Sequence, residues 1–311
     1  LIAHTAAENK IDCDFSWRPA YVYTQSEQYL KDLEDEARAA CSLGIKASYM
    51  DHSPLPFSVQ AALRFDNQAQ FHPLKYLKSL AQHIPEEGSH ILENTTAVSI
   101  DQDSRAVITR QGRKVTADKI IIASHFPFFD GGGMYFTKLD PQRAYIIAIK
   151  AQEPLPEGMF ISAESPSRSL RSQPYEDGEL ILIAGESHPT GEGTDLQSHY
   201  ENLLGFAREN FEVEEVLYRW STQDYQTLDG IPYVGNLTPK SPHIYVATGF
   251  DKWGISNGTA SAMILSDLIV KGDSPWAQVY NPSRFNLTSV KTFVRMNLNV
   301  ARNLIAGTIS R

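Results

Sequence analysis

The chain has 311 residues, of which 42% are hydrophobic and 21% charged, with a formal net charge of −9. That length suits two domains, and the acidic balance argues against nucleic acid or an anionic membrane as partner. The two cysteines, Cys13 and Cys41, make no Cys-x-x-Cys or Cys/His cluster, which argues against a metal site and for reduced thiols in a cytoplasmic protein.

The chain opens "LIAHTAAENKIDCDF", without Met and without a capping residue, so it reads as the end of a helix with more chain expected ahead of Leu1. Residues 26–43 predict an amphipathic helix: Ser26 caps it, Tyr29, Leu30, Leu33, Ala37 and Ala40 line one face, and Gly44 ends it. "DHSPLPFSVQAALRFDNQAQFHP" reads as loop and short strand. "HPLKYLKSLAQHI" is a second helix with Pro73 in its first turn. From Ser89 the period becomes two, and "HILEN", "AVSID", "AVITRQG" and "RKVTADKIIIAS" predict strands. The apolar run Lys119–Ser124 predicts a strand covered on both faces. "HFPFFDGGG" reads as a crossing between domains. Strands "RAYIIAIKA" and "GMFISAE" follow, then a hairpin turning at Asp177–Gly178 and a helix from Asp195 to Phe211. The tail after Pro282 reads as a surface helix or a linker. No stretch is apolar for long enough to span a bilayer, so no membrane is expected.

The most informative run is "IYVATGFDKWGISNGTASAMILSDLIVKG", Ile244–Gly272. It predicts a buried strand, a turn at Gly249 where a Cβ would block the chain, and a helix. Gly254, Gly258, Ala260, Ser261 and Ala262 keep that helix slim at its start. Its free amides and positive dipole end suit an anionic or electron-rich ligand edge; the alternative is that small residues merely allow tight helix–sheet packing. A Gly-rich loop at Gly191 and Gly193 lies between a strand and a helix but lacks the Lys-Ser/Thr of a phosphate loop.

The segment Asp229, Gly230, Pro232, Gly235, the strand end Ala247-Thr248-Gly249 and then Gly254 resemble the C-terminal part of the FAD-dependent oxidoreductases of the D-amino-acid oxidase and glycine oxidase type. The likeness runs in the family's order from about Phe71 to Gly272. "QFHPLKYL", "YRWSTQDYQTLDGIPYVG", "TGFDKWG" and "PSRF" resemble a bacterial subgroup joined to a C-terminal Rieske 2Fe-2S domain. The resemblance implies a mixed α/β fold: an FAD-binding Rossmann-like domain (71–130 and 229–272) lacking its first βαβ unit, and a largely antiparallel substrate domain (1–70 and 131–228). Residues 273–311 are expected to form a C-terminal helical tail or a linker. No G-x-G-x-x-G occurs in the sequence. FAD binding by this chain alone is therefore expected to be weak or absent, and the 2Fe-2S cluster belongs to a domain not in this chain. An uncovered sheet face is expected to support a homodimer.

By the same resemblance, the flavin-facing residues are Val98, Ala123, Ser124, Gly235, Gly249, Phe250, Asp251, Lys252, Trp253, Gly254 and Ile255. Lys252 is a cation suited to the reduced ring, or an exposed lysine in a loop. Phe250 and Trp253 wall the ring or simply pack. Lys252, Tyr225, His188 and His125 are the candidate catalytic groups. Arg64 and Arg171 are candidate clamps for a substrate carboxylate, or else surface ion pairs. Gln223 and Asp224 stand where amino-acid-oxidising relatives often carry Arg, and Asp224 favours a cationic substrate group. Two readings of function stay open. One is the core of an oxidoreductase moving a hydride from an amine or alcohol-type small molecule to flavin, with electrons leaving through the Rieske cluster. The other is an inactive fragment serving as a binding module. A third, weaker reading is a nucleotide-binding protein using the Gly185–Gly193 loop.

Overall fold

A computed structural model describes residues 1–85, 88–192, 195–284, 289, 290, 292–294, 296 and 297. In chain order the elements are helix α1 (Ile2–Glu8), strand β1 (Ser16–Thr24), α2 (Leu30–Ser42), β2 (Ala47–Met50), β3 (Ala61–Gln70) and α3 (Pro73–Gln82). Next come β4 (Ala97–Asp101), β5 (Ala106–Thr109), β6 (Lys114–Thr116), β7 (Ile120–Ile122), β8 (Leu139–Ala151), β9 (Met159–Ser162), β10 (Arg168–Tyr175) and β11 (Gly178–Pro189). The last are α4 (Leu196–Asn210), β12 (Val213–Thr227), β13 (Tyr233–Asn236), β14 (Ile244–Thr248), α5 (Gly254–Val270) and α6 (Ala277–Tyr280). The chain divides into one compact unit of Leu1–Ser89 with Arg143–Thr222, and a second of His90–Gln142 with the chain from Gln223 onward. Among the described residues no helix is long and apolar enough to cross a membrane.

The first unit is organised by an eight-stranded sheet, order β12-β8-β11-β10-β9-β1-β3-β2. Its neighbours are antiparallel at β1/β3, β2/β3, β9/β10 and β10/β11, and parallel at β1/β9. Alternation along β10 and β11 sends Leu170, Ile181 and Ile183 to one face. There they meet Tyr21, Tyr145, Ile147, Ile149 and Phe160, with Leu203 and Ala207 of α4. Each leucine, isoleucine or phenylalanine among them contributes roughly 1.5–3 kcal/mol by leaving water. Asp195 caps α4 by accepting from the amides of Gln197 and Ser198. A second cluster joins Leu33 and Ala37 of α2 to Ala61 and Leu63 of β3.

The second unit has a small sheet, order β13-β14-β7, and a meander, order β4-β5-β6. All of β14 is buried. It pairs antiparallel with β13 and parallel with β7. One face packs Val234, Tyr245 and Ala247 against Ile264 and Leu265 of α5. The other packs Ile120, Ile122, Tyr233 and Val246 against Ile100, Tyr135, Leu139 and Leu237. The turn after β12 is fixed by a two-point ion pair: Arg284 donates through Nε to Asp229 Oδ2 at 2.8 Å and through Nη2 to Oδ1 at 2.6 Å. The same guanidinium lies 4.3 Å from the Tyr233 ring centroid and caps the Pro232 carbonyl.

The helices at 73–82 and 196–210 match expectation; the one expected over 26–43 begins as a 3-10 turn at Glu27–Tyr29 and becomes α2. Several expectations are corrected. "HILEN" forms no strand: Asn94 takes a left-handed φ of 55°, and Ile91 and Leu92 are exposed. "RKVTADKIIIAS" breaks into β6 and β7. Within β7, Ile121 is 49% exposed, so that run is not covered on both faces among the described residues. The hairpin turns at Glu176–Asp177, because Tyr175 already pairs with Gly178 and Glu176 supplies the left-handed φ of 50°. The loop-and-short-strand expectation gives way to β3, ten residues long. Both cysteines are free. Most of the expected tail helix after Pro282 lies outside the described residues.

Burial pushes the Asp229 carboxyl up, but the hydrogen bonds and charge of Arg284 more than offset this and hold it below the usual carboxylate value. The pair's contribution is therefore present above the ordinary carboxylate range and lost as pH falls through the lowered value. Arg284→Met strands a buried carboxylate and is expected to cost about 3–5 kcal/mol, read as a lower urea midpoint at pH 7. In Asp229→Asn the acid-induced loss of stability should be shallower than in the wild type.

Candidate functional site

The site begins where β14 ends. A Cβ at Gly249 would sit 2.3 Å from Thr227 Cγ2 and 3.2 Å from Leu139 Cδ2, at a φ of +78°. Only glycine fits there. The chain then passes through Asp251 (φ 42°) and Lys252 (φ 65°), two left-handed residues with side chains. Such conformations cost of order 1–3 kcal/mol each and persist only where surroundings enforce them. Here the Asp251 amide donates to the Tyr225 carbonyl at 3.3 Å, and the Lys252 amide donates to the Asp224 carboxylate. The Asn257 side chain donates to the Phe250 carbonyl at 3.1 Å.

Helix α5 starts at Gly254 with no side-chain cap. A Cβ at Gly254 would meet no atom within 4 Å from any described part of the chain beyond its own turn. This glycine is thus not required by packing of the chain on itself, unlike Gly249. Beside the turn, His125 (φ 66°) stands edge-on to Tyr225, ring centroids 4.8 Å apart, with Phe126 at 5.3 Å from the same ring. Thr248 Oγ1 donates to the His125 carbonyl, and Gln223 Nε2 donates to the Tyr225 hydroxyl at 2.8 Å. Burial raises the Asp224 carboxyl above its ordinary value, against the opposing charges of His125 and Lys252.

The fold thus gathers Asp224, Tyr225, Gly249, Phe250, Asp251, Lys252, Trp253, Gly254 and Ile255 at one corner. Phe250 packs in the α5 core cluster, whereas Trp253 is 65% exposed rather than packed. Ala123 and exposed Ser124 lead into His125, and Ser124 Oγ donates to the Phe126 carbonyl at 2.7 Å. Val98 is exposed on β4, in the meander. Gly235 (φ +142°) faces Pro282, whose Cδ lies 3.2 Å from where its Cβ would be, so packing accounts for it.

Arg64, Arg171 and His188 belong to the first unit. Arg64 Nε pairs with Asp66 at 2.8 Å on an exposed stretch of β3. His188 has both ring nitrogens engaged, by the Tyr145 hydroxyl at 3.1 Å and the Pro189 carbonyl at 2.9 Å, and stacks on His199. Gly191 is a left-handed loop glycine (φ 89°), and Gly193 lies outside the described residues. Sequence reasoning missed Thr227, Phe126 and Asn257. Thr227 carried no signal, because its part is only to crowd Gly249.

The residues present fit the ring end of a flavin. An uncapped helix start offers first-turn amides, Gly254 leaves its flank open, and Lys252 brings a cation beside it. Among the described residues no group of three or more His, Cys, Asp or Glu is arranged to hold a metal ion.

A family model described as "DAO: FAD dependent oxidoreductase" matches residues 1–268. A Bacillus subtilis (strain 168) protein named Rieske 2Fe-2S iron-sulfur protein YhfW is 39% identical over 306 residues. The match covers 98% of this chain but 60% of that relative, so the chain spans under two thirds of its length. Among solved structures, glycine oxidase from Geobacillus kaustophilus superposes with a TM-score of 0.79 at 20% identity, covering 92% of this chain and 81% of that one. L-proline dehydrogenase from P. horikoshii superposes with a TM-score of 0.76 at 18% identity, covering 91% and 80%. At these identities the likeness is one of fold.

Two outcomes follow from the geometry. Gly249→Ala is expected to cost about 2–4 kcal/mol through overpacking and strain, measured by denaturant unfolding. Asp224 has a raised carboxyl, so its ionised form weakens the folded state near neutrality and stability recovers as pH falls. Asp224→Asn should therefore melt higher than the wild type at neutral pH, with the gap closing toward about pH 4.

Proposed function

This chain belongs to the FAD-dependent oxidoreductase family, and on that premise we propose that its 249–255 turn receives the ring end of the flavin for oxidation of an amine or alcohol-type small molecule. The bound flavin supplies the hydride acceptor. What this chain supplies is position and charge. The first-turn amides of α5 and the Lys252 ammonium place positive potential where an electron-rich ring edge would lie. The enforced left-handed pair Asp251–Lys252 holds that potential fixed before any ligand arrives. Asp224, with its raised carboxyl, and His125 are the groups at this corner able to accept a proton from a substrate ammonium or hydroxyl.

The observation that carries the reading is the open flank of Gly254 at an uncapped helix start. From the name of the Bacillus subtilis relative we further infer that electrons leave one at a time to a 2Fe-2S cluster outside the stretch of chain described here. A second reading is a binding module without turnover. A visible spectrum after incubation with FAD, followed by anaerobic addition of small amines and hydroxy compounds, separates the two. Bleaching of the flavin band supports the enzyme; bound flavin that no such compound bleaches, or no bound flavin at all, removes it for this chain.

Gly254→Val tests the site itself. Stability should stay within about 0.5 kcal/mol. Flavin affinity should fall on the order of ten-fold or more, about 1.4 kcal/mol. Unchanged affinity would place the flavin elsewhere.

A further inference from the structure

The large sheet of the first unit ends on two unlike edges. At one end β2 is four residues long and follows directly on Lys46. A short strand and an adjacent Lys are common means of keeping a sheet edge unpaired. At the other end β12 runs for 15 residues, holds neither Pro nor Lys, and has β8 as its one neighbour among the described residues. Its residues 213–222 belong to the first unit. There Glu214, Glu215, Val216, Tyr218, Arg219 and Trp220 are all exposed, whichever face they point to. On the adjacent β8, by contrast, Tyr145, Ile147 and Ile149 are buried in the core. A row of backbone amides and carbonyls is thus left open on β12 beside exposed apolar side chains.

The side chains of this edge complement themselves. Arg219 faces α4: its Nη1 donates to Gln197 Oε1 at 3.2 Å, and its guanidinium lies 5.4 Å from the Tyr200 ring centroid. Alternation puts Leu217 and Glu215 on that same face. Glu214 lies 3.5 Å from Lys150, whereas Glu215 and Arg219 make no ion pair among the described residues. Between α4 and β12 lies a cleft of about 320 Å³ lined by Ile147, Leu204 and Leu217. Two copies of β12, antiparallel about a twofold axis at Leu217, set Glu215 of each opposite Arg219 of the other. Val216 then lies opposite Tyr218, and the two Leu217 side chains meet where the two clefts adjoin. Opposite charges and apolar pairs directly across antiparallel strands are favourable. A slide of two residues one way sets Arg219 opposite Leu217 and Glu215 opposite Ser221. The same slide the other way sets Arg219 opposite Val213 and Glu215 opposite Leu217. Charge therefore selects one register.

We propose that β12 is an interface between two copies of this chain, joined edge to edge into one continuous sheet whose register is set by Glu215 and Arg219. Such an interface is isologous, so each contact occurs twice. It uses a sheet edge of the first unit, not the uncovered sheet face anticipated from the sequence. It stands whether or not this chain holds flavin.

The test is sedimentation velocity of the purified protein over a dilution series. The wild type is expected to be a dimer that dissociates on dilution. Glu215→Arg and Arg219→Glu each put like charges across the strands, and each should weaken dimerisation at least about ten-fold. Mixed in equal amounts, the two variants oppose unlike charges again, and dimers should return. A wild type that stays monomeric throughout the series overturns the proposal. So does a dimer that both single variants leave intact, which places the contact elsewhere. Two monomeric variants that fail to associate on mixing overturn it as well. If either variant does not fold, Leu217→Cys in a Cys41→Ser background takes their place. Oxidation should then link two copies through residue 217, while Val213→Cys in the same background should not link. Absence of the 217 cross-link, or equal linking at 213, overturns the proposal.

Discussion

The candidate site depends on one steric fact: Thr227 leaves no room for a side chain at residue 249. The chain leaving buried β14 must therefore turn through a glycine, and the next residues are committed to a path that side chains resist. Two of them, Asp251 and Lys252, take left-handed conformations, and their amides are held by Tyr225 and Asp224 at the end of β12. Strain at the turn and its restraint come from the same strand. The start of α5 is consequently fixed from behind, by packed residues, while it has no side-chain cap and is left open at Gly254. A helix start built this way presents its amides without needing a ligand to organise them.

Charge inside the two units sorts into matched and unmatched groups. Glu186 accepts from Arg168, His199 and Asn202, and Asp229 from Arg284; each holds its carboxyl below the ordinary value despite burial. These networks close on themselves and lock local structure. Asp224 and Arg171 differ. For Asp224 burial outweighs the opposing charges nearby, and for Arg171 burial alone lowers the guanidinium, with no acid paired to it among the described residues. Unbalanced groups of this kind cluster at working sites, since a folded chain has no structural gain from keeping them.

Much of this was legible in the sequence, for physical reasons that differ by element. Helices α3 and α4 announce themselves by period, by Pro73 in the first turn of one and by Asp195 at the start of the other. Strands β1 and β3 do not. Pro19 breaks the strand signature of β1, and a register shift between Arg18 and Ala20 absorbs it. In β3, Ala61, Ala62 and Leu63 are all buried while Asn67 and Gln68 are exposed, so no alternation survives. The flavin-facing turn was legible as a motif, but the separate reasons for its glycines were not. Gly249 answers to Thr227, distant in sequence, and Gly254 answers to nothing among the described residues.

The chain enters its first compact unit, leaves it at residue 90, and re-enters it at 143. The pairing of β1 with β9 joins Tyr21 to Phe160, and Thr24 bonds Glu164 across 140 residues of sequence. During synthesis the first strand has no partner on that side until β9 has been made. Long-range closures of this kind slow folding and prolong the exposure of apolar strands. The segment carrying β1, with Tyr21 and Tyr23 still waiting for the core they share with Phe160, is therefore left exposed while the intervening chain is made.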